Sequence, residues 1–228
     1  MNRLPSCLHR IPDMKLISVN VGLRREITWN GGQVETGIFK EPVQGQVAVK
    51  RLNLNGDKQA DLSVHGGPDK AVYAYPVEHY AYWRRELPDR DLTWGTFGEN
   101  LTTEGLHERS VHIGDRFRIG TVELVVTQPR MPCYKLGIKL ERPDMVKRFL
   151  SSQRTGFYFA VAQEGVLREG DPIEVVFREV NNLSVADITG LYAFDRDDRE
   201  KLRQAVQLEA LPESWRNYFA EQLDRIAH

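Results

Sequence analysis

The chain has 228 residues, with Lys plus Arg at 31 against Asp plus Glu at 32, 41% hydrophobic and 28% charged. This is the composition of a globular protein, and a formal charge of -1 gives no basic field for a nucleic-acid polymer or an anionic membrane. No apolar stretch approaches the roughly 20 residues of a membrane span. The opening segment lacks the apolar core of a secretory signal, and two cysteines make neither a disulfide framework nor a zinc cluster, so a reducing, cytoplasmic setting is expected.

Residues 1–13, which include Cys7, carry no regular pattern and are expected to be an unstructured extension. Alternation begins at Met14 with Met-Lys-Leu-Ile-Ser-Val-Asn-Val. From Lys15 to Phe177, short strand-like runs recur between Gly, Asn, Asp and Pro, the spacing of a barrel or sandwich. One helix interrupts them between Pro76 and Pro88, with Tyr80, Trp83 and Leu87 on one face. Val122, Leu124 and Val126 define the inner face of a strand over Thr121 to Thr127. A short helix is expected over Pro143 to Leu150, with Met145, Phe149 and Leu150 inward. Ile173, Val175 and Phe177 then share the face of a last strand.

Past Asn181-Asn182 the strand pattern ends. Ser184 followed by Asp187 reads as a helix start, Leu202, Val206 and Leu208 mark a second helix, and Trp215, Phe219, Leu223 and Ile226 a third. The division expected is a β core over 14–180 and a three-helix unit over 181–228.

Chemistry concentrates in three places. In Gln128-Pro129-Arg130-Met131-Pro132-Cys133-Tyr134-Lys135-Leu136, two prolines put Cys133 on a stiff connection at a strand end. Arg130 and Lys135 favour its thiolate, the form that binds soft metals. The other reading is that Cys133 is a small buried hydrophobe. In Val64-His65-Gly66-Gly67-Pro68-Asp69-Lys70, the glycine amides and Lys70 suit a phosphate, or the segment is simply a good turn. In Phe97-Gly98-Glu99-Asn100-Leu101, Asn100 either meets a heterocycle or makes an Asx turn. Arg154 is a further anion contact or an exposed loop charge. His79 is explained by packing in its aromatic helix. No dinucleotide fingerprint, Walker loop, nucleophile elbow or kinase signature occurs.

In order and separation, these three segments resemble the MOSC-domain family, named for the C-terminal domain of molybdenum cofactor sulfurase. With the helical tail, the chain is most similar to the YiiM type, the 6-hydroxylaminopurine-resistance proteins, from about Met14 onward. The resemblance implies a mainly β fold with added helices (α+β), a MOSC-type β-barrel followed by three helices. It implies a molybdenum cofactor of molybdopterin type, with Cys133 as the protein's metal ligand and Lys70, Asn100, Arg130, Lys135 and Arg154 around the pterin. Pyridoxal phosphate binding is a further family-level association. The implied activity is reduction of N-hydroxylated compounds such as 6-hydroxylaminopurine to the amine, with electrons from a separate flavin-containing reductase; the protons it needs would come from solvent or from a nearby acid, for which His65 is the candidate. Two other readings stand beside it: a cofactor or sulfur carrier without turnover, and a thiol hydrolase pairing Cys133 with His65 or His112.

Overall fold

The computed structural model describes residues 14–60 and 66–226; the expected extension 1–13, with Cys7, and also His65, lie outside the described residues. The first strand, β1 (Lys15–Val21), starts where the alternation starts. A hairpin follows, β2 (Arg25–Trp29) and β3 (Gly32–Thr36). Its turn is Asn30-Gly31, both at positive φ, the backbone that matches the twist of paired strands. Short strands β4 (Glu41–Pro42), β5 (Val47–Lys50) and β6 (Asn53–Leu54) lead to a single 3-10 turn, Pro68–Lys70.

The strand β7 (Val72–Pro76), helix α1 (Glu78–Glu86) and strand β8 (Leu101–Glu104) form a crossover, which is why β7 and β8 pair in parallel while the other pairings are antiparallel. Next come β9 (Arg116–Ile119) and β10 (Val122–Pro129). In β10, Val122, Leu124 and Val126 are fully buried, as the alternation requires. A helix the sequence reading lacks, α2 (Tyr134–Lys139), follows Cys133 directly, and α3 (Met145–Ser151) turns Met145 and Phe149 inward. The strands end with β11 (Phe157–Gln163), β12 (Gly165–Leu167) and β13 (Ile173–Phe177).

Eight strands form one sheet in the order β13-β9-β10-β11-β7-β8-β1-β4, and β12-β5-β6 form a smaller one. The expected barrel does not close. The far end returns to β1 through an isolated bridge between Lys15 and Pro172 and a few backbone bonds beside it, from the Ile173 N–H to the Met14 carbonyl at 2.9 Å, from the Leu16 N–H to the Asp171 carbonyl at 3.0 Å and from the Gly170 N–H to the Leu16 carbonyl at 2.8 Å. Past that point a bulge between Val175 and Phe177 shifts the register of β13 against β9. The expected shared inner face is corrected: Ile173 is buried, but Val175 and Phe177 are 39% and 48% exposed, because β13 is an edge strand covered only at its first residue, and the bulge then takes Phe177 out of step as well.

Three helices follow, α4 (Val185–Ala193), α5 (Arg199–Gln207) and α6 (Glu213–Arg225). Ser184 and Asp187 form a reciprocal capping box on α4, and the Asp198 side chain caps α5. These helices complete the sheet's own core: Ile188, Leu191, Leu202 and Phe219 belong to one buried cluster with Phe117, Val126 and Phe159. Each such side chain contributes roughly 1.5–3 kcal/mol by leaving water. A second, aromatic cluster joins Tyr73, Tyr75, Tyr80, Trp83, Phe97 and Phe149 between β7, α1 and α3. No described helix is long and apolar enough to cross a membrane.

Candidate functional site

Because β7, β10 and β11 are neighbours in the sheet, the segment after β10 lies against the tyrosines of the other two. There a cavity with about 640 Å³ of empty space, open to solvent, is lined by Cys133, Arg130, Met131, Lys135, Lys70 and Asn100. Thr36, Gly37, Ile38, Lys40, Gln59 and Ala60 also line it. Five of the residues singled out in the sequence, Lys70, Asn100, Arg130, Cys133 and Lys135, are thus brought together from three separate segments.

Cys133 has extended backbone (φ -118, ψ 168) and is the residue just ahead of α2, where its carbonyl accepts from the Leu136 N–H at 3.0 Å. It is half-buried and lines the cavity, so the reading of this residue as a small hydrophobe sealed in the core does not hold.

Arg130 is buried at 5% exposure, with its guanidinium 5.4 Å from the centre of the Tyr73 ring and 5.2 Å from that of Phe149. Its Nη1 is buried with no hydrogen-bond partner. Burial works against this charge, but the electrostatic pull of Tyr73, Tyr158 and Cys133 outweighs it and holds the pKa above the ordinary arginine value. Burial in turn pushes both phenols up, with Arg130 opposing. The backbone of Arg130 is fixed by a bond from its N–H to the Gly156 carbonyl at 3.2 Å. Gly156 has φ +62, and a Cβ there would lie 2.4 Å from the Ala74 carbonyl oxygen, so only glycine fits this approach.

Lys70 stands at the end of the Pro68–Lys70 turn, where burial lowers its pKa and Asp69 partly restores it. Lys135 is on α2, itself only 8% exposed. Asn100 lines the cavity with its amide already used: Oδ1 accepts from the Tyr73 N–H at 3.1 Å, and Nδ2 donates to Asp57 Oδ2 at 3.0 Å and to the Asn20 carbonyl at 3.4 Å. It therefore ties three segments of the wall together, and its expected contact with a heterocycle would have to use the remaining lone pair.

Arg154 is not at this cavity. The chain between α3 and β11 turns through Gln153 and Gly156, both at positive φ, and Arg154 stacks over Tyr82 of α1 at 4.0 Å while Nη1 donates to the Ser152 carbonyl. It lines a separate groove with His79, His107 and Glu108. His79 is engaged there by Glu108 at 2.8 Å; burial would raise the Glu108 pKa, but this partner and the Gly156 N–H bring it below the usual value. His112, one base considered for a hydrolase, forms an isolated bridge with Ser184 and is not among the cavity's lining residues.

Several lining groups carried no signal in the sequence. Lys40 forms a buried ion pair with Asp57, whose Oδ1 also accepts from the Gly22 N–H at 2.9 Å. Burial lowers the Lys40 pKa against the pull of Asp57 and Glu99. Behind it, Lys139 donates to the carbonyls of Ile38 and Gly95 at 3.0 and 2.6 Å, and burial lowers its pKa to about 8. Tyr73 and Tyr158 also line the cavity, and the Tyr73 hydroxyl donates to the Thr155 carbonyl at 2.8 Å.

Comparison with known families and proteins agrees with this architecture. The MOSC domain matches residues 61–174, and the YiiM-like, 3-alpha helix domain matches residues 183–225. The uncharacterized protein YflK of Bacillus subtilis (strain 168) is 40% identical over 211 residues, 92% of this chain and 95% of that protein. Protein YiiM of Escherichia coli (strain K12) is 38% identical over 79% of this chain and 81% of its own length. A protein named reductase from Gibberella moniliformis is 34% identical over 69% of this chain, matching 28% of that longer protein. Among solved structures, YiiM from Geobacillus stearothermophilus superposes with a TM-score of 0.77 at 39% identity, covering 92% of this chain and 99% of that one.

Proposed function

This chain belongs to the MOSC-domain family in its YiiM-like form, and from that membership we propose that it is a molybdenum-cofactor-dependent reductase of N-hydroxylated compounds, 6-hydroxylaminopurine among them. The observation that carries the reading is the cavity in which a half-buried thiol, Cys133, meets a buried guanidinium with an unpartnered Nη1, Arg130. A buried donor without an acceptor costs stability, so its persistence favours a ligand that brings acceptors.

The residues present fit the cofactor. A pterin dithiolene carries its own sulfurs and needs one further thiolate, which Cys133 would give. Its phosphate and ring nitrogens need donors, which Arg130, Lys70 and Lys135 would give. Arg130, Lys70 and Lys135 line the same cavity as Cys133. When bound, the cofactor supplies the redox step, in which two electrons and two protons convert R–NHOH to R–NH2 and water. We assign the electrons to a separate flavin-containing reductase and a proton to His65. The relative named reductase supports the oxidoreductase class.

The test is Cys133→Ala, made in a host that synthesises the cofactor. Molybdenum per chain, by elemental analysis, and turnover of 6-hydroxylaminopurine should both fall to background, while Cys7→Ala changes neither. Retention of molybdenum and activity by the Cys133 variant would remove the thiol from its role.

A further inference from the structure

We propose that Trp215, on the third tail helix, is a positioning residue for the cavity: through Gln128 it holds the Pro68–Lys70 turn and so sets where Lys70 stands. The inference rests on reading the cavity as a cofactor site only in its binding arm; the structural link stands by itself.

The link consists of three groups in series. The Trp215 Nε1–H donates to Gln128 Oε1 at 2.5 Å, and Gln128 Nε2 donates to the Asp69 carbonyl at 3.3 Å. Gln128 is 2% exposed, so neither end of its amide has water as an alternative. An indole N–H is a donor only. It therefore requires the amide oxygen on its own side, which leaves the amide NH2 facing Asp69. Without the indole, the buried Oε1 is left without its donor and only the longer bond from Nε2 to the Asp69 carbonyl still holds the amide in place.

The neighbouring residue does not make this bond redundant. Thr127 Oγ1 also reaches the Asp69 carbonyl, at 2.7 Å, but its single proton is shared with the Tyr158 carbonyl at 3.1 Å. Asp69 is the central residue of the turn that ends at Lys70, and Gln128 stands two residues before Arg130 on the strand that leads to Cys133. One indole in the tail is thus coupled to two of the cavity's cations. The geometry gives the three-helix tail a part in the site beyond completing the core.

Trp215 also packs its ring on Tyr192 and Phe219, at 5.4 and 5.6 Å between centres, so the test separates the N–H from the ring. Trp215→Phe keeps an aromatic ring and deletes the donor. Gln128→Met, similar in length, breaks the link from its other end and serves if the first variant does not fold. In the full-length, cofactor-free chain, hydrogen exchange over residues 66–72 should rise about fivefold in either variant, the effect of losing one hydrogen bond of ordinary strength. Molybdenum retained per chain should fall by a similar factor, and Trp215→Phe should cause no further loss in a Lys70→Ala background. Unchanged exchange over 66–72 overturns the proposal, as does a loss that adds in full to that of Lys70→Ala. If instead Cys133→Ala keeps its molybdenum, the cofactor reading fails, and the exchange measurement still decides the link.

Discussion

Arg130 is a buried charge that Tyr73, Tyr158 and Cys133 favour, but whose hydrogen bonding is incomplete. It is buried against two aromatic rings, and one guanidinium nitrogen has no acceptor. A buried charge without full compensation is replaced by an apolar side chain of similar length at little cost, and often with a gain. We therefore expect Arg130→Met to leave the thermal midpoint unchanged or raised, by ~1 kcal/mol in stability, while retained molybdenum falls at least tenfold. A variant that unfolds more easily and still binds cofactor would contradict this division between stability and binding. Arg130, Cys133 and Lys135 are legible in the sequence because they fall within one short segment that two prolines mark out. Lys40, Asp57, Tyr73 and Tyr158 are not, since each arrives from a different segment and their association exists only once the sheet has formed. Arg154 misleads for the opposite reason: it is close in sequence to the site's strand β11, but two positive-φ residues beside it aim the side chain at α1.

Among the elements, those with strong local chemistry are the ones the sequence discloses. Ser184 and Asp187 are three apart because a helix start has donors that both can satisfy, and the structure has both bonds, at 3.1 Å each. Removing the hydroxyl in Ser184→Ala should cost about 1 kcal/mol, read from the urea midpoint, with molybdenum content and turnover unaffected because Ser184 is remote from the cavity lining. Loss of cofactor in that variant would mean that α4 is coupled to the site as α6 is proposed to be. Helix α2 escapes the sequence because it is six residues long, contains Gly137, and lies behind a proline that points to a loop. Its stability comes from packing Leu136 into the aromatic cluster, a contact no local pattern records. Strand β13 is found but its face is not, since an edge strand left uncovered after Ile173 has no buried face for the alternation to report.

At the scale of the whole molecule, the wall behind the cavity stores two lysines against their preference. Lys139 is brought from 10.5 to about 8, first by burial, then by repulsion from Lys40 and Arg25, with Glu99 and Glu41 opposing. Lys40 is lowered as well, by burial against the pull of Asp57 and Glu99. Between the folded and unfolded pKa values the unfolded chain holds more protons, so stability should increase as pH rises from about 8 toward 10. Each lysine contributes a slope of at most ~1.4 kcal/mol per pH unit. The upper limit is set by Tyr73, Tyr75, Tyr80 and Tyr158, all raised by burial above the usual 10.0. Past that pH the unfolded chain loses phenolic protons first, the linkage changes sign, and stability declines. Urea midpoints measured every half unit from about pH 7 to 11 should therefore pass through a maximum near pH 10. In Lys139→Met the rising limb should lose one lysine's share, although the carbonyls of Ile38 and Gly95 then lack their donor and the whole curve lies lower. A variant whose curve runs parallel to the wild type through that limb would show that Lys139 is protonated alike in both states, and the cost of its charge would then have to be sought at Lys40.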